Sequence, residues 1–459
     1  MTKSKSAVSP LMREVSAYIA GAARRALPGD VVEKGKHHLL DTLASMISGS
    51  RLLPGKRAIA YIAGLAGARQ ACVAGTRLVT TAANAAFANG MFAHADETDD
   101  THYAANMHPG CGIVPAALAM AENKHRNGRF LLRAVVLGYD IGCRITRSFH
   151  PVEFRKAGRS NHSFGNLFGA AAAAGMLAGL DTEKTRHLLS YAAQQASGIR
   201  TFEGDGEHVM KAYVFGGMTA QNGIAAATMI ECGFTGVEDT FTGQRNRNFF
   251  SAFSSNPNPE EMVRGLGVHY EIMNTQMKKW SVGSPMQAAL TSLFALMKDH
   301  AITADKVEKL VIHTPDNRID IVSNSKMTDV NIEHLLAIAL LDGELTFDSA
   351  HDVARMKDRR VTRLKQRIVL APSAELTAAK PPRQGIIEIF TRDGRHVRHH
   401  TRAARGTVDN PMNRADVSEK VLDLTAAIIG KRRSLKLIDT VWNIEKTADA
   451  RVFRSLLSA

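Results

Sequence analysis

The chain has 459 residues, of which 45% are hydrophobic and 22% are charged, and its formal net charge is +14. This length predicts two or three domains, and the composition is typical of a soluble globular protein with a large core. The densest basic runs, Arg359-Arg360 and Lys431-Arg432-Arg433, are short and have no aromatic residues between their charges. We interpret both runs as solvated faces and exclude a general nucleic-acid-binding stripe.

The sequence also argues against membrane and metal-cluster classes. The first 20 residues contain no long apolar stretch, so no secretory signal is predicted. The longest stretch without a charged residue, 160–180, is rich in Ala and Gly and is too weakly apolar for a membrane span. No CxxC pair exists, which argues against a zinc ribbon or an iron–sulfur cluster. Four separated cysteines predict buried thiols in a reducing compartment, and we expect the protein to be cytoplasmic. They are Cys72, Cys111, Cys143 and Cys232.

Helical patterns occupy roughly the first 270 residues. Ala-rich segments recur there, with small residues at positions where helices would touch. Pro115 falls in the first turn of one predicted helix, and Gly179 near the end of another is a stop signal. Because glycine lowers intrinsic helix stability, the Gly-containing helices must gain stability from close packing. The predicted helices span residues 82–95, 115–122, 165–180 and 218–231.

The pattern changes after residue 271. Residues 306–314 mix charged and β-branched residues as a half-exposed strand does, and residues 331–341 have helical periodicity. Asp393-Gly394 separates two strand-like runs and predicts a hairpin. Helical periodicity returns from Val417 onwards. These patterns predict a smaller α+β domain over about 275–402 and a helical tail that packs back on the larger helical domain.

Residues 94–110, HADETDDTHYAANMHPG, bring three histidines and four carboxylates together. Imidazoles and carboxylates in such proximity suit either metal binding or acid–base catalysis. The sequence has no GxSxG, GxxxxGK[ST] or HExxH motif and no GxGxxG that opens a helix. A nucleophilic serine, a nucleotide site and a Rossmann fold therefore lack support.

Two other interpretations of this segment compete with acid–base chemistry. In the first, the carboxylates bind a metal ion; however, the four acids cannot all face one ion from a single helix, and their spacing from the histidines matches no named site. We therefore predict no metal. In the second, Thr98, Asp99 or Asp100 caps a helix and His108-Pro109 begins the next one, while other members of the segment do chemistry.

Three isolated basic residues lie outside this segment. His162 directly precedes the uncharged Ala/Gly helix, Lys211 lies before a Gly-Gly pair, and Lys278 lies at the predicted domain boundary. Each residue taken alone is typical of a hydrogen-bonded or solvated side chain. The residue types therefore leave their roles open.

Together these segments resemble the MmgE/PrpD family, whose members include 2-methylcitrate dehydratase, cis-aconitate decarboxylase and iminodisuccinate epimerase. The first matching region comprises His94, Glu97, Asp99-Asp100-Thr101-His102 and His108-Pro109-Gly110. The resemblance continues in order and spans nearly the whole chain. The later matches are GIVPAALAMAE, Gly138-Tyr139-Asp140, His162, Lys211, GFTG at 233–236, Lys278 and Leu341-Asp342-Gly343.

The resemblance implies a mainly α fold. A large all-helical domain, formed by both chain ends over residues 1–275 together with 403–459, would carry an inserted smaller α+β lid domain over residues 276–402. Family members are typically homodimers with the active site between the helical domain and the lid. The resemblance also implies a small polycarboxylate substrate, with no metal, flavin or nucleotide cofactor and with neither nucleic acid nor membrane as a partner.

Position-by-position matching implies two groups of site residues. Glu97 stands at a family aspartate, and His334 stands where the decarboxylase has a tyrosine. The expected catalytic residues are His108, His162, Lys211 and Lys278, and the expected substrate-binding residues are Glu97, Asp100, Thr101 and His334.

Three motifs depart from the family pattern. Its Lys-x-x-His form reads Lys211-Ala-Tyr-Val214, its Lys-Pro-Tyr-Pro form reads Lys278-Lys279-Trp280-Ser281, and a later histidine of that motif is Gln287. These departures leave the family resemblance intact and the substrate open.

The residue types fit a cofactor-independent lyase of the dehydratase type. His108 and His162 would move protons, while Lys211 and Lys278 would bind carboxylates and could donate a proton. The same residues would serve an epimerase of an imino or amino diacid, or a decarboxylase. A non-catalytic basic binding protein that keeps the fold is the alternative from a different class, and such a protein would be expected to lack at least one of the four catalytic residues.

Overall fold

The computed structural model describes residues 8–65, 67–243 and 246–459, and the protein is mainly α-helical. The described residues form two compact units. The first comprises the described residues of Met1–Ala95, Asp99–Thr275 and Leu424–Ala459, and the second comprises those of Asp96–Thr98 and Gln276–Asp423. The structure thus groups residues 403–423 with the second unit, and the predicted family-type domain bounds stay a prediction.

Helices dominate the first unit, and α19 runs from the second unit into the first. The helices up to residue 275 are α1 (Pro10–Gly21), α2 (Gly29–Gly49), α3 (Leu53–Ala63), α4 (Ala82–Ala93), α5 (Gly110–Asn123), α6 (Gly128–Arg147), α7 (Pro151–Lys156), α8 (Asn161–Ala178), α9 (Thr182–Gln195), α10 (Val209–Ala212), α11 (Met218–Glu231) and α12 (Phe249–Phe253). The later helices are α13 (Gln287–His300), α14 (Ile319–Val322), α15 (Ile332–Asp342), α16 (Phe347–His351), α17 (Arg359–Lys365), α18 (Ala374–Ala378), α19 (Arg414–Ile429), α20 (Lys431–Trp442) and α21 (Val452–Leu457).

Strands are short up to residue 276 and form one sheet after it. The strands are β1 (Ala71–Cys72), β2 (Val79–Thr80), β3 (Thr101–His102), β4 (Thr275–Gln276), β5 (Val307–Pro315), β6 (Ile368–Ser373), β7 (Gly385–Thr391) and β8 (His396–Thr401). The sheet of the second unit has the order β6-β5-β7-β8; β5 and β6 are parallel and the other pairs are antiparallel. Gly394 lies between β7 and β8 at φ +83, which confirms the predicted Asp393-Gly394 hairpin.

Close contact between α6 and α8 explains the Gly-rich sequence of α8. A Cβ atom on Gly169 would lie 2.5 Å from the carbonyl oxygen of Gly138, and one on Gly142 would lie 2.6 Å from that of Gly165. These positions therefore hold glycine because the two backbones touch, and the packing offsets the low helix propensity of glycine. The same packing fixes the first turn of α8, which carries His162.

Most predicted elements are present, but two of their starts differ. α11 has the predicted bounds, and α8 ends before Gly179, whose φ of +77 confirms it as the stop signal. The predicted helix start at Pro115 is wrong, because α5 begins at Gly110 and keeps Pro115 inside it. The first turn of α5 is buried, and this packing outweighs the one backbone hydrogen bond that proline removes. α8 begins at Asn161, so His162 lies inside this helix rather than ahead of it.

Surface features agree in part with the sequence analysis. Arg359 and Arg360 are exposed, as expected of a solvated face. Three of the four cysteines are buried, but Cys232 is exposed at the end of α11, so the prediction of a buried thiol is wrong there. Within the described ranges, no helix is both long and apolar enough to cross a lipid bilayer. Residues 1–7, on which the predicted absence of a secretory signal partly rests, lie outside the described residues.

Candidate active site

The four carboxylates of residues 96–100 divide between the two units. Asp96 and Glu97 belong to the second unit, and Asp99 and Asp100 belong to the first. The capping alternative is confirmed in part: Thr98 and Asp99 cap neither α4 nor α5, but Pro109 stands at the N-cap of α5 and Asp100 accepts the N–H of its first residue, Gly110. Thr98 instead donates its hydroxyl hydrogen to Asp96 at 2.6 Å. Because each acid has its own partners, these contacts offset the cost of burying the carboxylates and the repulsion between them.

Four histidines of the first unit form an imidazole cluster, in which three rings lie against the ring of Phe215 and the fourth, His208, lies against His94. The cluster comprises His94, His108, His162 and His208. His94 follows α4, His108 precedes α5, and His162 lies in the first turn of α8. The Phe215 ring centroid is 3.6 Å from that of His162 and 4.5 Å from that of His94, and the His208 ring is 5.0 Å from that of His94. Three separate helices thus bring titratable rings to one place.

Asp99 lies between two rings of the imidazole cluster. Its Oδ2 is 2.8 Å from Nδ1 of His94, and its Oδ1 is 3.1 Å from Nδ1 of His108. Burial alone would raise the pKa of Asp99, but the adjacent His108 and His94 hold that pKa well below its usual range. An ionised carboxylate only accepts hydrogen bonds, so the hydrogen-bond network assigns a hydrogen to Nδ1 of His94. Thr101 also contacts Nδ1 of His108, with its Oγ1 at 3.4 Å.

His108 is the partly exposed ring of the pair that Asp99 joins. Its side chain is 13% exposed, whereas the side chains of His94 and Asp99 are 0% exposed. Because Nδ1 of His108 faces Asp99, Nε2 is the atom that can exchange a proton with a ligand. A carboxylate behind an imidazole in this way orients the ring for acid–base work.

The ring hydrogen of His162 lies on Nε2, and its Nδ1 is an acceptor. Its Nδ1 lies 3.1 Å from the backbone nitrogen of His108 and accepts that N–H, so this ring nitrogen has no hydrogen of its own. Burial, followed by the neighbouring His108, His94 and Lys211 side chains, holds the pKa of His162 well below its usual range. The neutral ring therefore has its hydrogen on Nε2 and presents a hydrogen-bond donor.

A π-helical turn, Tyr213–Gly217, positions Phe215 between α10 and α11. A Cβ atom on Gly216 would lie 2.1 Å from the carbonyl oxygen of Gly90, so the turn packs directly on α4. Lys211 on α10 places its Nζ 5.6 Å from the centroid of the Phe215 ring. Such turns occur frequently at functional sites. Here the turn gathers a cation and the imidazole cluster around one aromatic ring.

Asp100 is fully buried and binds three groups of the first unit. Its Oδ2 accepts the Tyr139 hydroxyl hydrogen at 2.6 Å and lies 2.7 Å from Nδ1 of His38. Its Oδ1 accepts the backbone N–H of Gly110 at 3.0 Å. These contacts fix the first residue of α5, just after His108. Asp100 is therefore placed to position the chain, and its expected contact with a substrate stays a prediction.

In the second unit, Glu97 and Lys278 lie together. Nζ of Lys278 donates to the backbone oxygen of Glu97 at 2.7 Å and lies 3.3 Å from its Oε2. Lys278 is buried, so its charge is compensated at close range. The sequence predicts both residues as site residues but does not predict that they contact each other.

Gln287 holds the loop that carries Lys278. Its Oε1 accepts the backbone N–H groups of Lys279 and Trp280 at 3.1 and 3.3 Å, and its Nε2 donates to the carbonyls of Trp280 and Val282 at 3.0 and 3.1 Å. A carboxamide side chain offers two N–H donors and one oxygen whose two lone pairs can each accept a hydrogen bond, whereas an imidazole does not. This departure from the family histidine therefore has a local structural role.

The chain neighbours of Glu97 are held by other basic side chains of the second unit. Nε2 of His351 lies 3.0 Å from Oδ2 of Asp96, and Nζ of Lys420 donates to the carbonyl of Thr98 at 3.0 Å. Burial alone would lower the pKa of His351, but Asp96 outweighs burial and raises that pKa to about 9. His351 is therefore an imidazolium at neutral pH. Residues 96–98 thus contact three basic side chains of their own unit.

His334 lies elsewhere in the second unit. It is fully buried on α15, and neither of its ring nitrogens has a hydrogen-bond partner among the described residues. Burial, followed by the charges of Lys365 and Arg355, lowers the pKa of His334 to about 4. The ring is therefore neutral at pH 7, and its expected role in substrate binding stays a prediction.

Two groups of described residues in the first unit have the donor types of a metal site, one fully buried and the other, Glu183, His187 and Glu238, partly exposed. The ligand atoms of His94, Asp99 and Cys111 lie within 4.8 Å of one another, and all three residues are buried. However, burial and the Asp99 charge raise the pKa of the Cys111 thiol well above its usual range, and this thiol donates to the carbonyl of His108 at 3.2 Å. A thiol that keeps its proton is a poor ligand, and Asp99 is already shared by two imidazoles. In the structure these three groups are thus engaged by hydrogen bonds and an ion pair with protein groups.

Several residues that build this site have no assigned role in the sequence analysis. His208 is buried with a φ of +62, a conformation that histidine adopts rarely and that occurs at functional sites. Asn166 donates to the carbonyls of His108 and Phe215, both at 2.9 Å. The Gly-Gly pair after Phe215 is a local signal for close packing. The contact of Phe215 with His162 has no such signal, since it joins two distant segments.

Comparison with known proteins gives two family matches. The MmgE/PrpD N-terminal domain matches residues 13–262, and the MmgE/PrpD C-terminal domain matches residues 280–444. A cis-aconitate decarboxylase-like protein of Aspergillus oryzae is 25% identical over 94% of this chain and 94% of that protein. A cis-aconitate decarboxylase of Aspergillus terreus is 22% identical over 98% of this chain and 96% of that protein. The corresponding human enzyme is 24% identical over 81% of this chain and 79% of that protein.

Proposed function

Since the chain belongs to the MmgE/PrpD family, we propose that it is an enzyme, a cofactor-independent lyase that acts on a small polycarboxylate by proton transfer. The observation that carries the proposal is the imidazole cluster. It offers a partly exposed ring backed by Asp99, a neutral N–H donor and a nearby ammonium group. The similar proteins named above are cis-aconitate decarboxylases, so cis-aconitate is the first substrate to test.

His108 is the proton carrier in this proposal. In a decarboxylation, the bond between carbon and the departing carboxylate breaks, CO₂ leaves, and Nε2 of His108 delivers a proton to the carbon that retains the electron pair. In a dehydration, a base removes the carbon-bound proton and an acid protonates the departing hydroxyl. Asp99 and Thr101 hold Nδ1 of His108 in both cases, so the ring can change protonation state without rotating.

The other predicted site residues bind the substrate. His162 donates through Nε2, and Lys211 pairs with a carboxylate near the ring of Phe215. Lys278 binds a second carboxylate, for which it exchanges part of its contact with Glu97. Within the first unit, His162 and Lys211 thus place a donor and a cation beside His108, as an anionic substrate requires.

The proposal includes the family-type organisation. Residues 1–275 together with 403–459 would form the helical domain and residues 276–402 the lid, in a cytoplasmic homodimer. Sedimentation velocity of the purified protein measures the oligomeric state. A monomer across the micromolar range would contradict the dimer while leaving the chemistry open.

Proton NMR in D₂O tests the reaction. Purified protein is incubated separately with cis-aconitate, citrate, 2-methylcitrate and iminodisuccinate. A lyase gives loss of CO₂ or water with new or shifted olefinic signals. Deuterium entering a carbon position without net loss of substrate would instead identify an epimerase. No change in any spectrum, together with no thermal shift by any polycarboxylate, would contradict a catalytic role on this substrate class.

Matched variants assign the chemistry to the imidazole cluster. We expect His108→Asn to lower kcat by at least about 100-fold, since general acid–base catalysis contributes about 10²–10⁴-fold. Lys211→Met, which removes the cation that pairs with a carboxylate, should lower kcat/KM by about 10- to 100-fold. The controls are His125→Asn and Lys184→Met, because both side chains are exposed in the first unit. Near-normal turnover in a folded His108→Asn protein would remove His108 from the proposal.

A further inference from the structure

Asp99 shares one carboxylate between two imidazoles, and this limits how strongly it can stabilise the charged form of His108, the ring that reaches solvent. Oδ2 faces Nδ1 of His94 at 2.8 Å, and Oδ1 faces Nδ1 of His108 at 3.1 Å. The centroids of the two rings are 5.1 Å apart. A single negative charge at this distance compensates one imidazolium, and a second would meet like-charge repulsion in a buried site.

The two rings differ in how easily they can become charged. His94 is fully buried, and its Nε2 has no hydrogen-bond partner among the described residues. Burial lowers the pKa of His94, and the charges of Lys211 and His108 lower it further, against the opposing effect of Asp99. His94 is therefore a neutral Nδ1–H donor to Asp99. His108 is the ring of this pair that reaches solvent.

We propose that His94 is a positioning residue that occupies one oxygen of Asp99 and thereby lowers the proton affinity of His108. The hydrogen bond from His94 stabilises the Asp99 carboxylate and draws its charge away from His108. An Asp99 that served His108 alone would stabilise the His108 imidazolium more strongly. The importance of this effect for catalysis rests on the proposed function, whereas the lowered proton affinity of His108 does not.

Other titratable groups surround the pair and are common to all variants at position 94. His162 on α8 and Lys211 on α10 contribute positive potential, and Cys111 on α5 keeps its proton. His208 precedes α10 and lies against the His94 ring. Glu97 lies two residues before Asp99 in the chain. A comparison between variants at position 94 therefore isolates the contribution of His94.

The test is an NMR titration of the His108 Cε1–Hε1 resonance in the full-length protein, assigned with the His108→Asn variant. In His94→Leu, which removes the donor to Asp99, we expect the pKa of His108 to rise by about one unit. In His94→Asn, whose side-chain amide can still donate to Asp99, we expect a smaller rise. If His94→Leu does not fold, His94→Asn decides the matter alone. An unchanged or lower His108 pKa in a folded variant would overturn the proposal.

His102 provides the matched control. It is also buried and pairs with a carboxylate, Glu271, at 3.0 Å, but it does not contact Asp99. His102→Asn should leave the His108 titration where it is in the unaltered protein. If the pKa of His108 rose equally in His102→Asn, loss of any buried histidine would have this effect, and the specific role of His94 would be overturned.

The pH dependence of turnover separates this inference from the proposed function. With an active substrate, the limb of the kcat/KM profile that belongs to His108 should move to higher pH by the same amount as the NMR pKa. A rise in the NMR pKa without turnover of any polycarboxylate would contradict the proposed function and support the role of His94. Turnover with an unmoved limb and an unmoved NMR pKa would contradict the role of His94 alone.

Discussion

At the scale of single residues, two stacked histidines differ because their Nδ1 atoms have different partners. Nδ1 of His108 faces the carboxylate of Asp99, whereas Nδ1 of His162 accepts a backbone N–H. The same side-chain type is thereby prepared as a proton carrier in one case and as a neutral donor in the other. The residue types alone assign neither role, since both depend on which group lies next to Nδ1.

Lys278 offers a test of carboxylate binding. We expect Lys278→Met to lower kcat/KM by about 10- to 100-fold, chiefly through KM, because a hydrogen bond to a charged group contributes about 1.5–3 kcal/mol. The control is Lys279→Met, since the neighbouring Nζ lies 5.3 Å from the Trp280 ring instead. Steady-state kinetics measure both variants. Equal losses in the two would show that the loop, and not the Lys278 charge, matters.

His351 predicts a pH dependence of stability. Its pKa is about 9 in the folded protein against an ordinary 6.5. Because the folded pKa is the higher, the stabilisation is fully present below pH 6.5 and is lost as pH rises through 9. The loss of stability is on the order of 3 kcal/mol, since one pKa unit corresponds to about 1.36 kcal/mol. Thermal unfolding from pH 6 to 10 should show a steeper decline for the unaltered protein than for His351→Asn. Parallel curves would contradict the pairing with Asp96.

At the scale of elements, short segments carry the site and long helices hold them. α10 has four residues, and the π-helical turn that follows it carries Phe215. Neither would be stable alone, since isolated helices this short do not form in water. The turn is held by its contact with α4 and by Asn166 of α8. The glycines of α6 and α8 let these long helices pack closely enough to fix that framework.

Paired glycine substitutions test this close packing. Gly169→Ala should lower the midpoint of thermal unfolding, because its Cβ would meet the Gly138 carbonyl at 2.5 Å. Overpacking of this kind costs about 1–3 kcal/mol. Gly21→Ala in α1 is the control, since a Cβ there has no neighbour within 4 Å. It should raise the midpoint through better helix propensity. A rise in both variants would contradict direct contact between α6 and α8.

At the scale of the whole molecule, the net charge of +14 favours anionic ligands of every kind. The positive charge is spread along the sequence, and many basic side chains already have acidic partners, such as Arg454 with Glu122 and Arg147 with Glu271. The molecule can therefore attract small polyanions without an extended basic stripe. The exposed Arg359 and Arg360 contribute to this general field.

This field predicts a salt dependence of the reaction. Raising the ionic strength from about 0.02 to 0.5 M shortens the Debye length several-fold. We expect kcat/KM to fall over that range, mainly through KM, and to fall more for a tricarboxylate than for a dicarboxylate. Initial rates at both salt concentrations check this. Equal salt dependence for the two substrates would contradict attraction by the net charge.

Local sequence signals determined many elements of this protein. The Asp393-Gly394 hairpin, the stop at Gly179 and the bounds of α11 follow from turn chemistry and periodicity over a few residues. The ordered motifs also gave the family. The start of α5 did not follow in the same way, because burial of its first turn outweighed the signal at Pro115.

The tertiary structure decided what each titratable group contacts. The four acids of residues 96–100 belong to two different units. Asp99 contacts two imidazoles, whereas Asp100 contacts His38 and Tyr139. Lys278 donates a hydrogen bond to Glu97. A pKa or a hydrogen position depends on groups within a few ångströms, whatever their distance in the chain. The sequence by itself therefore determined which acids and bases the protein has, and only the folded chain determined their partners and hence the work that each can do.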